Sequence, residues 1–106
     1  MEDLTDDEGV VRVQVNEIVS NIGTRGSGER LRNYVLNLLN EGAERVVLEF
    51  TDTGMSSSSF ADEVGGGLAQ TLGVELFQQQ VAFTNLGDDE ASVFQRGIEG
   101  RMRPQR

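Results

Sequence analysis

Hydrophobic and polar residues follow a strand-like pattern in three stretches of the chain. Valines alternate with polar residues in VVRVQV (10–15), which predicts a half-buried strand that continues through Ile18 and lies at or near a sheet edge. RVVLEF (45–50) is almost wholly apolar, as expected for a buried central strand of a parallel pair. VAFTNL (81–86) predicts a third strand, and a fourth is expected within 16–22, paired with the first.

Three further segments predict helices. The first follows the loop SNIGTRGSG (20–28), with Ser27 as its expected cap and Gly42 as its end. Its apolar residues recur at helical spacing: Leu31, Tyr34, Val35, Leu38 and Leu39. The second helix is expected over about 59–72, and the third opens at the acidic run 88–90. Strands and helices therefore alternate, which predicts an α/β domain: a mixed, mostly parallel four-stranded sheet packed with three helices.

Three consecutive glycines, 65–67, fall in the middle of the second predicted helix. Each glycine in a helix interior costs about 1 kcal/mol relative to alanine. A helix that retains them is expected to bring its backbone close to a strand, another helix or a partner.

Composition removes several kinds of chemistry. The 106 residues fit one domain and include no Cys and no His, which excludes disulfides, Cys nucleophiles, His general bases and the usual zinc sites. An all-oxygen site for magnesium or calcium remains possible, but no calcium-loop motif is present. We expect no metal and no other cofactor.

Charge is strongly negative and unevenly distributed. Eighteen acids against nine bases give a net charge of -9, which disfavours nucleic acid and anionic membranes as partners. No apolar run approaches the roughly 18 residues of a membrane span, so a cytoplasmic protein is expected. Residues 1–8 are expected to form a disordered acidic tail, residues 9–100 the domain and residues 101–106 a basic flexible tail.

The stretch GMSSSSFADE (54–63) places four serines at the expected start of the second helix. A serine nucleophile needs a base within hydrogen-bond reach, and the nearest carboxylates, Asp62 and Glu63, are expected to point away from the hydroxyls. We therefore expect no enzymatic activity. Ser59 and Asp62 also match the [ST]-x-x-[DE] capping pattern, a structural role.

Two interpretations of the serines remain open from spacing alone. A phosphoryl group on a serine at a helix start would be stabilised by the helix end and would add about -1.5 to -2 charges to a local surface. Alternatively, Ser59 caps the helix and Ser56 to Ser58 form a solvated loop.

The loop GTRGSG offers a different candidate site. Gly23, Gly26 and Gly28 precede or open a predicted helix beside Arg25, and their backbone N–H groups could hold a phosphate. The loop matches neither G-x-x-x-x-G-K-[ST] nor G-x-G-x-x-G, and a flexible turn with a helix cap is the other interpretation.

The stretch VVLEFTDTGMSSSSFADEVGGGL resembles the STAS-like domains of unknown function, which are relatives of the sulphate-transporter and anti-sigma-factor-antagonist domain. GTRGSGERLRNYVLNLL and VAFTNL agree with this resemblance, which covers roughly residues 10–100. It implies a small STAS-like α/β fold and a regulatory protein-protein interaction module.

In the anti-sigma-factor antagonists that this chain resembles, the matching turn carries Asp-Ser-Ser-Gly, and a partner kinase phosphorylates the first Ser. That position corresponds to Ser58, with Ser57 in the place of the Asp, Ser59 as the second Ser and Phe60 in the place of the Gly. The STAS-like branch often has a Pro at the phosphorylated position. The resemblance implies a partner that is a histidine-kinase-type ATPase or an anti-sigma-like regulator.

The sequence thus supports three hypotheses. The first is regulated partner binding, with phosphorylation candidates Ser58 and Ser59; the expected interface is Met55, Ser56, Ser57, Ser58, Ser59, Asp62 and Gly66. The second is small-ligand or nucleotide sensing through Gly23, Arg25, Gly26 and Gly28. The third is a structural subunit that forms a homodimer through an exposed sheet edge.

Overall fold

A computed structural model describes residues 9–51, 53 and 56–102, and these form a three-stranded sheet. The strands are β1 (Val10–Gln14), β2 (Arg45–Glu49) and β3 (Val81–Thr84), all parallel and in the order β1-β2-β3. The edge position predicted for the first strand and the central position predicted for the second are both confirmed.

Five helices accompany the sheet. They are α1 (Val15–Ile18), α2 (Arg25–Asn40), α3 (58–72), α4 (Val74–Gln80) and α5 (Asp88–Met102). Helix α3 is continuous but not uniform, because α-helical Ser58–Ala61 and Gly67–Leu72 flank a π-helical turn, Asp62–Gly66.

The predicted α/β alternation is confirmed, but the prediction of four strands and three helices is wrong for the described residues. The chain does not extend past Gln14; it turns into α1, and no strand forms within 16–22. The helical turn places Val15, Val19 and Ile22 in the core. Helix α4 lay outside every predicted element.

Two predicted helix caps are also wrong. Thr24 rather than Ser27 caps α2, because the Thr24 hydroxyl accepts the Ser27 N–H at 3.1 Å. Ser57 rather than Ser59 caps α3, since its hydroxyl accepts the Phe60 N–H at 3.0 Å. At the other end of α2, Gly42 follows the last helical turn as predicted, and its φ of +116° is one that favours glycine.

Helix α5 extends past residue 100, where the sequence predicts the end of the domain. The helix continues to Met102, so residues 101 and 102 belong to it rather than to a flexible tail. Residues 1–8 and 103–106, which the sequence predicts as tails, lie outside the described residues.

The core lies between the sheet and the helices, and aromatic rings fill the part beneath α5. The Phe94 ring of α5 meets Phe50 and Phe83, with ring centroids 5.5 and 4.9 Å apart. On the strands, alternate residues such as Val46 and Leu48 are fully buried. This packing holds α3 between α2 and α5, and the functional candidates lie along those two contacts.

Candidate functional site

The four serines, residues 56–59, form a serine turn that is anchored to α5 by a buried carboxylate. The backbone N–H and the hydroxyl of Ser56 both donate to Oε2 of Glu90, at 3.0 and 2.5 Å. Both residues are about 95% buried or more, with relative exposures of 3% and 5%. Ser56 therefore faces inward, and the expectation of a solvated loop is wrong for this residue.

Ser57 also has a structural role, whereas the hydroxyls of Ser58 and Ser59 are not engaged by other described residues. Ser57 caps α3, and its N–H donates to the carbonyl of Ile22 at 3.1 Å. Ser58 is exposed and Ser59 is half-buried, and neither hydroxyl makes a hydrogen bond to any other described residue. Of the four serines, Ser58 and Ser59 are thus the two with available hydroxyls.

Ser58 and Ser59 lie at a surface cleft between the starts of α2 and α3 and the middle of α5. The cleft has a volume of about 310 Å³ and is lined by Arg25, Ser58, Ser59, Asp62, Val93, Arg96 and Gly97. The structure therefore brings together residues from both sequence hypotheses, the serine turn and Arg25 of the glycine loop.

Behind the cleft, the π-helical turn of α3 carries a nearly buried carboxylate, Glu63. Its side chain is 7% exposed, and its two oxygens accept from Arg25 Nη1 at 2.6 Å and Arg32 Nη1 at 2.5 Å. Arg101 Nη2 of α5 lies 3.7 Å from the same carboxylate. Ion pairs of this kind require good geometry to offset desolvation, and here they join α3 to α2 and α5.

The neighbouring carboxylate, Asp62, forms a two-pronged pair with α5. Arg101 donates from Nε to Oδ1 at 3.1 Å and from Nη2 to Oδ2 at 3.0 Å, and Arg25 Nη1 donates to Oδ2 at 3.0 Å. Partial burial raises the pKa of the Asp62 carboxyl, but the bonds from Arg101 and Arg25 together hold that pKa below its ordinary 3.8. The contacts with Glu63 and Asp62 in turn raise the pKa of the Arg25 guanidinium.

This shift predicts a specific acid sensitivity. A lowered folded-state pKa gives stability that is present above pH 3.8 and is lost as pH falls through the folded-state value. We expect Asp62→Asn to flatten the dependence of unfolding free energy on pH below about 4, measured by urea titrations at several pH values. If Asp62→Asn kept the pH dependence of the parent protein, the assignment of this acid sensitivity to Asp62 would be contradicted.

The glycines of α3 serve close packing between helices. A Cβ on Gly66 would lie 2.5 Å from Arg101 Cγ and 2.7 Å from the carbonyl oxygen of Gly97, and one on Gly65 would lie 3.0 Å from the Phe94 ring. Of the three explanations that the sequence allowed, approach of another helix is the one observed. Gly66 is buried in this structure, and its place in a partner-binding surface stays a prediction.

The glycine loop, residues 23–28, lies partly before α2 and partly in its first turn. Gly26 and Gly28 lie in the first turn of α2, and a Cβ on Gly28 would lie 2.8 Å from Glu63 Cβ. Gly23 precedes the helix, and its N–H donates to Asn21 Oδ1 at 2.7 Å. Of the proposed ligand-binding residues, only Arg25 lines the cleft.

Four charged residues of this region were absent from the sequence candidates: Arg32, Glu90, Arg96 and Arg101. Each meets or faces residues of the serine turn or of α3 that lie more than 30 positions away in sequence. The adjacent acids Asp62 and Glu63 were the one available signal that basic partners are needed, but the sequence does not indicate which residues those are. Met55, named as an interface residue, lies outside the described residues.

The geometry defines a small α/β domain whose third helix is tied to its neighbours by arginine–carboxylate pairs beside an open serine-lined cleft. The family model for the STAS-like domain of unknown function matches residues 27–91, so the chain belongs to that family. The sequence resemblance is thereby confirmed. Neither the curated proteins nor the solved structures contain a significant match.

Two other kinds of site are absent from the described ranges. No helix there is long and apolar enough to cross a membrane. No group of three or more acidic side chains in that part of the chain converges to hold a metal ion.

Proposed function

We propose that this STAS-like domain is a non-enzymatic regulatory module that binds a protein partner through the surface at the start of α3. Phosphorylation of Ser58 switches that binding. The observation that carries the proposal is the position of Ser58: it is exposed at the first residue of α3, with a hydroxyl that makes no bond to other described residues. Ser56 and Ser57 are already engaged.

The switch follows from local electrostatics. The Ser58 hydroxyl attacks the γ-phosphorus of ATP on a kinase, its proton passes to a base of the kinase, and ADP leaves as the bond to the γ-phosphorus breaks. The product carries about -1.5 to -2 charges where a neutral hydroxyl stood. A partner that packs against this surface is then repelled and must desolvate a dianion.

The class of partner is proposed from the relationship to STAS domains. It is a histidine-kinase-type ATPase or an anti-sigma-like regulator. Because a kinase partner needs ATP, the proposal includes a cytoplasmic location for this protein. The non-enzymatic character is supported by the absence of Cys and His and by the arginine pairs that occupy Asp62 and Glu63. The alternative is ligand sensing through residues 23–28, and of the residues proposed for it only Arg25 lines the cleft.

The decisive experiment is mass spectrometry of the protein purified from its own host under two growth conditions. We expect a phosphate on Ser58, within the peptide that contains residues 54–63, in an amount that changes with condition. An unmodified peptide under every condition tested would contradict the switch.

Ser58→Asp is expected to weaken binding of the partner by roughly tenfold or more, because it places a fixed negative charge in the interface. The measurement is the dissociation constant for a partner recovered by crosslinking in the host. Gln78→Glu adds the same charge at an exposed position of α4 and should leave the affinity within about twofold. Equal weakening by both variants would indicate a net-charge effect and would contradict a local switch.

A further inference from the structure

The cleft beside Ser58 has more hydrogen-bond donors than acceptors. Arg25 uses only Nη1 for its bonds to Asp62 and Glu63, so its Nε and Nη2 groups have no partner among the described residues. Arg96 is exposed and makes no hydrogen bond or ion pair with any other residue that the structure describes. The hydroxyls of Ser58 and Ser59 add two more available donors.

The lining of the cleft carries more positive than negative charge, although the whole chain has a net charge of -9. Arg25 and Arg96 are cations, and the one anion in the lining, Asp62, is already paired through both oxygens with Arg101. A group that complements two guanidiniums and two hydroxyls is a compact anion rich in acceptor oxygens.

We propose that this cleft is an oxyanion site that takes the phosphoryl group of a phosphate monoester. Arg25 and Arg96 face it from α2 and α5. On α3 the Ser59 hydroxyl donates to it, and the Ser58 hydroxyl does so as well when Ser58 is unmodified. The volume of about 310 Å³ is at the lower end for ligand sites and accommodates a phosphoryl group with a small substituent.

The phosphoryl group has two conceivable sources with the same chemistry. In one case it is attached to Ser58 itself, and this case rests on the proposed function. In the other it belongs to a separate molecule, and this case is independent of the proposed function. In the first case, the modified serine folds into its own cleft and binds Arg25 and Arg96. In the second, the unmodified protein binds a phosphate monoester.

The first test is a titration of the unmodified protein with inorganic phosphate and O-phosphoserine, followed by amide NMR shifts at constant ionic strength. We expect saturable shifts at the cleft that sodium chloride does not reproduce. Arg96→Gln should weaken phosphate binding about tenfold, because one charge-assisted contact is removed. Its melting temperature should change little, since Arg96 is exposed and makes no hydrogen bond or ion pair to another described residue.

The matched control is Arg30→Gln, the same change at an exposed position of α2 outside the cleft. It should alter phosphate affinity by less than about twofold. Equal losses in both variants would mean that phosphate responds to overall charge, and that result would overturn the site.

The second test uses protein that carries phosphoserine at residue 58, examined by phosphorus NMR. We expect its second pKa to lie below that of a phosphorylated 54–63 peptide and to return toward it in Arg96→Gln. The modified protein should no longer bind added phosphate. A peptide-like pKa together with continued phosphate binding would leave the separate molecule as the source.

Failure of both tests would overturn the oxyanion site. The result is distinct from failure of the switch. If Ser58 is never phosphorylated in the host but the unmodified protein binds O-phosphoserine, the cleft recognises a phosphoryl group on a separate molecule.

Discussion

Glu63→Gln is expected to lower the free energy of unfolding by about 3 kcal/mol, because it removes the charge that three arginines surround. The Glu63 side chain is 7% exposed and accepts from Arg25 and Arg32 at 2.6 and 2.5 Å, with Arg101 at 3.7 Å. Glutamine keeps the volume but turns one acceptor oxygen into a donor, which then faces a guanidinium. Urea unfolding monitored by circular dichroism measures the change.

Glu29→Gln provides the control, since Glu29 is an exposed residue of α2 and loses the same charge. It should change the free energy of unfolding by no more than about 0.5 kcal/mol, with the denaturant slope unchanged in both variants. If both variants lost equal stability, net charge rather than the buried pairs would be the cause. A loss below about 1 kcal/mol for Glu63→Gln would mean that desolvation of Glu63 nearly cancels its attraction to the arginines.

The arginine–carboxylate pairs show why sequence reasoning reached only part of the site. Local pattern identified Asp62 as a possible capping residue, since it follows Ser59 at the expected spacing. Its actual partners, Arg25 and Arg101, are 37 and 39 residues away. Nothing in a single sequence specifies such pairs, because the packing of α3 between α2 and α5 decides them.

The serine run illustrates a related difficulty. Four successive residues of one type leave the helix start undefined by composition, and the cap falls on Ser57 instead of Ser59. That shift of two positions changes the role assigned to the hydroxyls of Ser56, Ser57 and Ser59. It places Ser58 at the first helical residue, and it leaves Ser56 before the helix, where it meets Glu90.

The secondary structure was easier to predict where periodicity was long. The five apolar positions of α2 and the apolar run of β2 have one reasonable interpretation each. Around Val15 the pattern is ambiguous, since Val11, Val13 and Val15 suit a strand while Val15 and Val19 also suit a helical turn. The core selects the second arrangement, in which both Val15 and Val19 are buried.

Helix packing gives the second large expected effect. Gly66→Ala should lower the free energy of unfolding by about 2 kcal/mol, even though alanine is the better helix former. The new Cβ would lie 2.7 Å from the backbone carbonyl oxygen of Gly97, and that atom cannot move without shifting α5. The clash with Arg101 Cγ at 2.5 Å would also disturb the pair with Asp62.

Gly26→Ala is the same substitution in a different environment and should have the opposite sign. A Cβ at Gly26 would meet nothing within 4 Å, so the helical preference of alanine should stabilise the protein by about 0.5 kcal/mol. Thermal and urea unfolding of the two variants would measure this contrast. Stabilisation by Gly66→Ala would contradict the close approach of α3 and α5. If Gly66→Ala instead stayed as stable as the parent and lost affinity for the partner, Gly66 would belong to the interface after all.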